Sequence, residues 1–367
     1  MLNRSNNPYK FLFAGGGTGG HLFPAVAVAE KIRIKKPEAE ILFVGTKTRI
    51  EGKVIPELGY KFRSIWIKGF SRKMTIENLL FPLKVIVSVF QSIFISLKFK
   101  PNVAIGSGGY VAGPAVFGAK VTGSKVILLE QNSYPGVTTK ILERYANDIH
   151  ITFDDSKKYF KNKEKLRSTG NPVRHSLTLS NRSEALKYFG LSETKKTLLV
   201  LGGSLGAASI NSAMAVWLKD FEKEEIQIIW QTGKNYFEQN KNLATGMNFI
   251  SAFIDRMDLA YSACDLVLAR AGATTISEIT VLGLPAILVP SPNVAENHQY
   301  YNAKSLELRN AAVLIKDAEI NEKMFNVASR LINDSNRLES LKQNAKQLGR
   351  PDAADVIADN AIKLAEV

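Results

Sequence analysis

Cysteine is almost absent: Cys264 is the single one in 367 residues. An internal disulfide is therefore excluded, and a reducing compartment fits. Set between Ala263 and Asp265, Cys264 reads as a small core residue before it reads as a nucleophile. No secretory signal is visible. The start MLNRSNNPYK is polar, and the apolar run 11–14 is too short for an h-region and passes straight into glycines. No glycine loop continues into Lys-Ser/Thr, so no Walker A site is present. No Asp-x-Asp pair lies where a diphosphate would sit, and Asp154 and Asp155 are adjacent, pointing apart in an extended segment. No protein-held metal is therefore expected. Histidine is scarce as well, with only His21, His150, His175 and His298.

What is present suffices for full cores. The chain is 45% hydrophobic and 22% charged, and its length predicts two domains. Its net charge of +14 is unevenly placed. Residues 1–170 hold 27 Lys and Arg against 12 Asp and Glu, and residues 171–367 hold 21 against 22. A one-sided positive field draws an anionic surface: nucleic acid, acidic lipid or polyphosphate. A basic surface serving only solubility explains the total but not the split. No nucleic-acid recognition motif accompanies the charge, so no nucleic-acid partner is expected.

Short β-rich runs alternate with helical stretches along the whole chain. Strands are expected near 11–13, 41–44, 103–105, 126–129 and 150–153, then near 198–201, 227–230, 248–252, 266–269, 286–289 and 312–314. Helices fill the gaps, the signature of α/β architecture with parallel, doubly wound sheets. Each half opens alike: strand, glycine loop, helix. The first loop runs Gly15 to Gly20 and the second Gly202 to Gly206. The join is placed where Asn171-Pro172 breaks regular structure, giving domains 1–170 and 171–350. The final helix follows Pro351, and residues 351–367 are candidates to cross back to the first domain.

A glycine loop before a helix aims backbone N–H groups at an anion, above all phosphate. Gly15, Gly17 and Gly20 fit the dinucleotide spacing, but the second strand ends at Gly45-Thr46-Lys47 with no acid for a ribose. A third cluster, Gly106 to Tyr110, ends another strand of the same half. Two glycine loops at one sheet edge suggest a large diphosphate ligand. His21 opens the helix after the first loop, where the dipole favours neutral imidazole. It either takes a proton from a hydroxyl or caps the helix and donates to phosphate. In the stretch 270–278, small residues and unsatisfied N–H groups suit a phosphate or a uracil. Glu278 either accepts two ribose hydroxyls or is a favourable charge in an early helical turn. Gln299 and Asn302 are i, i+3 neighbours on a further helix.

Residues 79–99 are mostly apolar and about the ~20 residues a membrane span needs. However, Lys84, Ser88, Gln91, Ser92 and Lys98 form one polar stripe, so the pattern is an amphipathic helix. Its C-terminal part is expected to be half-buried against the sheet. Its first part, 79–89, is expected to meet lipid, with Lys68, Arg72, Lys73 and Lys84 close by.

Taken together, GGGTGGHLFPAVAVAE (15–30), GSGGYVAGP (106–114), EQNSYPG (130–136), TGNPVR (169–174), GGSLGA (202–207), FIDRM (253–257), RAGATTISE (270–278), GLPAILVP (283–290) and HQYYNA (298–303) resemble the MurG family. These are bacterial enzymes of glycosyltransferase family 28 that move N-acetylglucosamine from UDP to a lipid-linked muramyl pentapeptide. The resemblance spans nearly the whole chain. It implies the GT-B fold, two Rossmann-like domains facing a cleft, and an inverting single displacement converting lipid I to lipid II for peptidoglycan.

By motif, the UDP-N-acetylglucosamine site would comprise Thr18, Gly19, Gly20, Asn132, Arg174, Ser204, Ile254, Ala273, Thr274, Thr275, Ile276, Ser277, Glu278 and Gln299. Gly16, Gly17, Ser107, Gly108, Gly109 and Tyr110 would take the acceptor diphosphate. His21 would be the base, with Glu130 as the alternative. One position departs from the family pattern: Leu129 stands where a His often precedes the Glu of the EQN stretch, which shifts weight onto His21 and Glu130. A membrane patch would map to Leu79, Leu83, Ile86 and Val89, with Lys73 and Lys84. The implied partners are UDP-N-acetylglucosamine, undecaprenyl-linked lipid I, an anionic inner-membrane surface met from the cytoplasmic side, and proteins of cell-wall synthesis and division. No tightly bound cofactor is implied beyond Mg²⁺ accompanying the UDP-sugar. Competing readings are another GT-B glycolipid transferase, separable by donor and acceptor competition, and a non-catalytic nucleotide-sugar-binding membrane module, which could dispense with the acceptor loops.

Overall fold

The computed structural model describes residues 8–69, 80–173, 177–203 and 205–367. The chain forms two compact units, 1–174 with 350–367, and 175–349.

The first unit carries strands β1 (Lys10–Gly15), β2 (Glu40–Gly45), β3 (Lys61–Ser64), β4 (Val103–Gly108), β5 (Lys125–Glu130), β6 (Asp148–Ile151) and β7 (Leu166–Ser168). Between them run α1 (Gly19–Lys35), α2 (Ile50–Glu57), α3 (Phe81–Phe99), α4 (Gly109–Val121) and α5 (Val137–Leu142). The strands make one parallel sheet in the order β3-β2-β1-β4-β5-β6-β7. Central strands such as β1 and β4 are buried on both faces and so read as continuous apolar or small-residue runs. The edges β3 and β7 are short, polar and exposed, which blunts further strand pairing.

The second unit holds β8 (Lys196–Leu201), β9 (Ile226–Gln231), β10 (Asn248–Ser251), β11 (Leu266–Ala269), β12 (Ala286–Leu288) and β13 (Val313–Leu314). Its helices are α6 (Arg182–Phe189), α7 (Ala208–Lys223), α8 (Phe237–Asn240), α9 (Met257–Ala263), α10 (Ala273–Leu282), α11 (His298–Glu307), α12 (Ile320–Asn333) and α13 (Ser335–Leu348). The sheet is again parallel, in the order β10-β9-β8-β11-β12-β13. Local signals fix helix ends. The Asn181 side chain accepts from Ser183 N and Glu184 N at the start of α6, and left-handed Gly190 and Gly283 stop α6 and α10.

A last helix, α14 (Ala353–Ala365), belongs to the first unit. Ile357, Ala358, Ala361 and Ile362 complete the core made by Phe11, Phe13, Leu22 and Val28. Lys31 and Lys35 of α1 pair with Asp355 at 2.8 and 3.4 Å, and Lys35 reaches Asp359. His150 Nε2 lies 3.0 Å from Asn360 Oδ1, tying β6 to the same helix.

Helix α3 inverts the usual arrangement. Lys84, Ser88, Ser92 and Ser96, at steps of four, are its buried residues. Small side chains allow close approach to α4: a Cβ on Gly118 would lie 2.7 Å from Ser92 Cβ. Ser88 Oγ donates to Val85 O and Ser92 Oγ to Ser88 O, so burial leaves those two hydroxyls satisfied within the helix. Leu83, Ile86, Phe90, Phe94 and Leu97 face outward, each at least half exposed. The C-terminal part, expected to be half-buried against the sheet, is half-buried through its polar stripe packed on α4, while its apolar side chains stay exposed, so the apolar face runs the full length of the helix. Lys84 is not on that face either. It is 8% exposed, with Nζ 5.7 Å from the Trp66 ring centroid, and Val89 is only half-buried. Leu79 and Lys73, like Arg72, lie outside the described residues.

Candidate active site

In open parallel sheets, ligands bind beyond the carboxyl ends of the strands, where the strand order reverses. In the first unit that point lies between β1 and β4, and in the second between β8 and β11. All the glycine loops singled out in the sequence lie at these two places.

In the first unit, β1 and β4 end side by side, with Gly15 paired to Gly108 after a shift in register. Both following helices, α1 and α4, start without a side-chain cap and without an acid in the first turn. Their N-terminal N–H groups are therefore suited to an anion. The two loops interlock. Gly108 and Gly109 have φ of +99° and +78°, and a Cβ on Gly109 would lie 2.6 Å from the Gly16 carbonyl. Thr18 and Gly17 are exposed, Gly19 and Gly20 half-buried, and Gly16 buried. Tyr110 is 52% exposed at the start of α4.

His21 is held by this interlock. Its Nδ1 lies 2.9 Å from the Ser107 carbonyl and 3.2 Å from Gln131 Oε1, while Ser107 Oγ donates to the His21 carbonyl. Both atoms facing Nδ1 are acceptors, so Nδ1 carries the proton and, in the neutral ring, the lone pair lies on Nε2. Gln131 is oriented by its own donations to Ser107 O and Leu129 O.

Glu130 is buried, and its carboxylate accepts from Asn132 N and Gly136 N, each at 3.1 Å, closing the 131–136 loop on itself. Burial is the largest influence and pushes the carboxyl above its usual range, opposed by hydrogen bonds from Thr139, Asn132 and Gly136.

One residue escaped the sequence reading. Glu51, 1% exposed, brings a carboxylate to the tip of β2 from α2. It accepts from Thr46 N, Thr46 Oγ1 and Gly17 N at 3.0, 2.7 and 2.9 Å. An acid thus reaches that tip from outside the strand, though not for a ribose. Three donors already occupy it, one from the glycine loop, so it serves as an anchor and not as a ribose ligand. Gly17 accordingly gives its N–H to Glu51. A strand-tip acid arriving from the next helix leaves no mark in the strand's own sequence.

In the second unit, Gly203 and Gly206 take φ of +85° and +91°, and a Cβ on Gly233 would clash with the Gly206 backbone. The β8 and β9 loops thus meet at two glycines. Ile254 is buried, and its N–H donates to Gln231 Oε1 at 2.9 Å. Helix α10 begins at Ala273 with no side-chain cap and no acid in its first turn. Thr274 Oγ1 is buried there without a hydrogen-bond partner. Thr275 is half-buried, and Ile276 and Ser277 are buried, Ser277 Oγ donating to Ala273 O. Glu278 is 6% exposed and accepts the Tyr261 phenol at 2.8 Å. Gln299 Oε1 accepts from Ser291 N, and Asn302 Nδ2 donates to Ala271 O. Arg270 is bound to Val289 O, Asp317 and Ser209. Arg174 and Ser204 lie outside the described residues. Among the described residues, no group of three or more His, Cys, Asp or Glu gathers as metal ligands.

Two family models match. The glycosyltransferase family 28 N-terminal domain covers residues 11–151 and the C-terminal domain covers 197–357. A relative from Flavobacterium psychrophilum, named UDP-N-acetylglucosamine--N-acetylmuramyl-(pentapeptide) pyrophosphoryl-undecaprenol N-acetylglucosamine transferase, is 43% identical over 361 residues, 98% of each chain. One of the same name from Bacteroides fragilis is 42% identical over the full length of both. The crystal structure of Acinetobacter baumannii MurG superposes with a TM-score of 0.76 at 25% identity, over 97% of this chain and 100% of that one.

Proposed function

The chain belongs to glycosyltransferase family 28, and from that premise we propose that it transfers N-acetylglucosamine from UDP-N-acetylglucosamine to the 4-hydroxyl of undecaprenyl-diphosphoryl-N-acetylmuramyl-pentapeptide. The product, lipid II, feeds peptidoglycan synthesis. The observation that carries this reading is full-length similarity to relatives named for that reaction, and the GT-B fold agrees with it. The reaction is an inverting single displacement. His21 Nε2 takes the proton of the attacking hydroxyl as its oxygen bonds to the anomeric carbon. The bond from that carbon to the diphosphate breaks, and the electron pair leaves with UDP. The uncapped start of α10, with the Thr274 hydroxyl, receives the charge growing on the leaving group, since preorganised dipoles stabilise charge that develops in the transition state. The starts of α1 and α4 hold the acceptor diphosphate. Glu130, committed to its own loop, positions Asn132 and Gly136 and does not take the proton. Any Mg²⁺ arrives with the nucleotide-sugar.

The outer face of α3 supports a further part of the proposal: the enzyme sits peripherally on the cytoplasmic side of the inner membrane. A continuous exposed apolar stripe on a strongly basic half of the chain suits an anionic leaflet. The deciding experiment is label transfer from UDP-N-acetylglucosamine to a synthetic prenyl-diphosphoryl-muramyl peptide, with UDP-glucose as control. Transfer from both donors alike, or to diacylglycerol in place of the muramyl lipid, would reject the assignment.

A further inference from the structure

We propose that a cavity at the C-terminal end of α3 seats the phosphate of an anionic membrane lipid, apart from the reaction site. The proposal rests on the membrane-facing reading of α3 and adds a specific ligand to it. The cavity, about 400 Å³, lies at the amino ends of the strands, the sheet edge opposite the glycine loops. Ser96, Leu97, Lys100, Thr122, Lys125 and Leu364 line it, and no Asp or Glu side chain does. Val367, 89% exposed, also lines it.

Three observations point to a phosphate. First, the Ser96 hydroxyl is unlike its neighbours. Ser88 and Ser92 bond to their own helix, whereas Ser96, 1% exposed, has its Oγ buried with no partner. A buried hydroxyl is costly unless something accepts or donates to it, and this one belongs to the cavity wall. Secondly, Lys100 caps α3 in the left-handed conformation, φ 55° and ψ 62°, where glycine is the cheaper residue. A cation thus stands at that point despite the backbone preference. Thirdly, Lys125 lines the same cavity and supplies a second positive group.

The source of the phosphate follows from what adjoins the cavity. Leu97, which lines it, is 57% exposed and ends the apolar stripe that includes Phe94 and Phe90, each 68% exposed. Acyl chains would meet those side chains while the headgroup phosphate enters beside them. From Leu83 to Leu97 the helix rises roughly 21 Å. A lipid held here would therefore pin α3 along its length and leave the glycine-loop edge, at the other end, open to the acceptor.

The test measures partition of the full chain onto phosphatidylcholine vesicles doped with phosphatidylglycerol. Lys100→Gln/Lys125→Gln is expected to bind at least about ten-fold more weakly, as two lost cations near a charged surface imply. Lys163→Gln/Lys165→Gln, which removes the same charge elsewhere on the unit, is expected to change binding less than about two-fold. Ser96→Ala, which removes only the hydroxyl oxygen, is expected to weaken binding without lowering the melting temperature, since that oxygen has no partner to lose. Lys100→Gly, which relieves the backbone, is expected to melt no lower and still bind weakly. Equal losses in the pocket and control pairs overturn this proposal alone. Failure of the unaltered protein to bind these vesicles overturns the membrane reading as well. Equally tight, equally lysine-dependent binding to vesicles doped with a fatty acid in place of phosphatidylglycerol rejects phosphate as the recognised group. Competition by millimolar inorganic phosphate that matches the lipid's affinity assigns the cavity to free phosphate and overturns the lipid.

Discussion

His21 and Ser107 are bonded in both directions: the imidazole Nδ1–H donates to the Ser107 carbonyl at 2.9 Å, and the Ser107 hydroxyl donates to the His21 carbonyl at 2.7 Å. The base candidate is thereby locked to the end of β4, with its tautomer chosen. His21→Ala is expected to lower kcat by about 10²- to 10⁴-fold, the usual contribution of a general base, with little change in the donor KM. Glu130→Gln keeps part of the loop's bonding and is expected to cost far less. If the two losses rank the other way in steady-state assays across pH, Glu130 is the base.

Gly108 makes the lock possible. Its φ is +99°, and a Cβ would lie 2.7 Å from His21 Nδ1. Gly108→Ala should push the ring off the Ser107 carbonyl and reduce kcat at least about ten-fold, since ångström-scale misplacement at a reacting centre is that costly. Circular dichroism should show an unchanged fold, and an unchanged kcat would mean the ring position is not critical.

Thr274→Val separates a ligand contact from a structural one. Because Thr274 Oγ1 has no partner in the structure, replacing it with a methyl should leave the melting temperature of the ligand-free protein unchanged or slightly raised. The Kd for UDP should rise about ten-fold if the hydroxyl bonds the diphosphate. Calorimetric titration with UDP decides it: unchanged affinity removes Thr274 from the site.

The legibility of the chain followed burial. Strands β1, β4, β5 and β8 were readable because each is a run buried on both faces, whereas β3 (KFRS) and β7 (LRS) are short polar edges with no such run. The glycine loops announced both strand ends at which the candidate site is placed, since left-handed backbone and close approach demand glycine there. Glu51 was hidden because its bond to Gly17 joins α2 to the loop after β1, residues 34 apart in sequence. The stripe on α3 was seen, but period alone cannot say which face of a helix turns inward. The small serines packed against Gly118 decide it.

Glu51→Gln tests that hidden anchor. An amide presents one acceptor oxygen where the carboxylate has two, so one of Thr46 N, Thr46 Oγ1 or Gly17 N is left facing an NH₂ group. The expected cost is about 1–3 kcal/mol in stability. It should appear in urea unfolding together with a raised acceptor KM.

Acidification should loosen the attachment of α14. Burial is the main influence on His150 and holds its imidazole below the ordinary value of 6.5. The unfolded chain therefore binds the proton more readily than the folded one. The stability that depends on a neutral His150 is complete above pH 6.5 and is lost as pH falls from there through the lower folded value. His298 shifts in the same direction, so the measurement is a difference. The slope of unfolding free energy against pH should be shallower in His150→Gln, and hydrogen exchange in Ala353–Ala365 should accelerate first in the unaltered protein.

The return of α14 to the first unit also orders events at the ribosome. Ile357, Ala358, Ala361 and Ile362 supply a wall of the core that Phe11 and Phe13 begin. Every residue of 175–349 is therefore synthesised while that core still lacks its wall. A nascent polypeptide halted after Gly349 would display the uncovered side of α1 to chaperones, so synthesis of α14 is the step that seals the amino-terminal half.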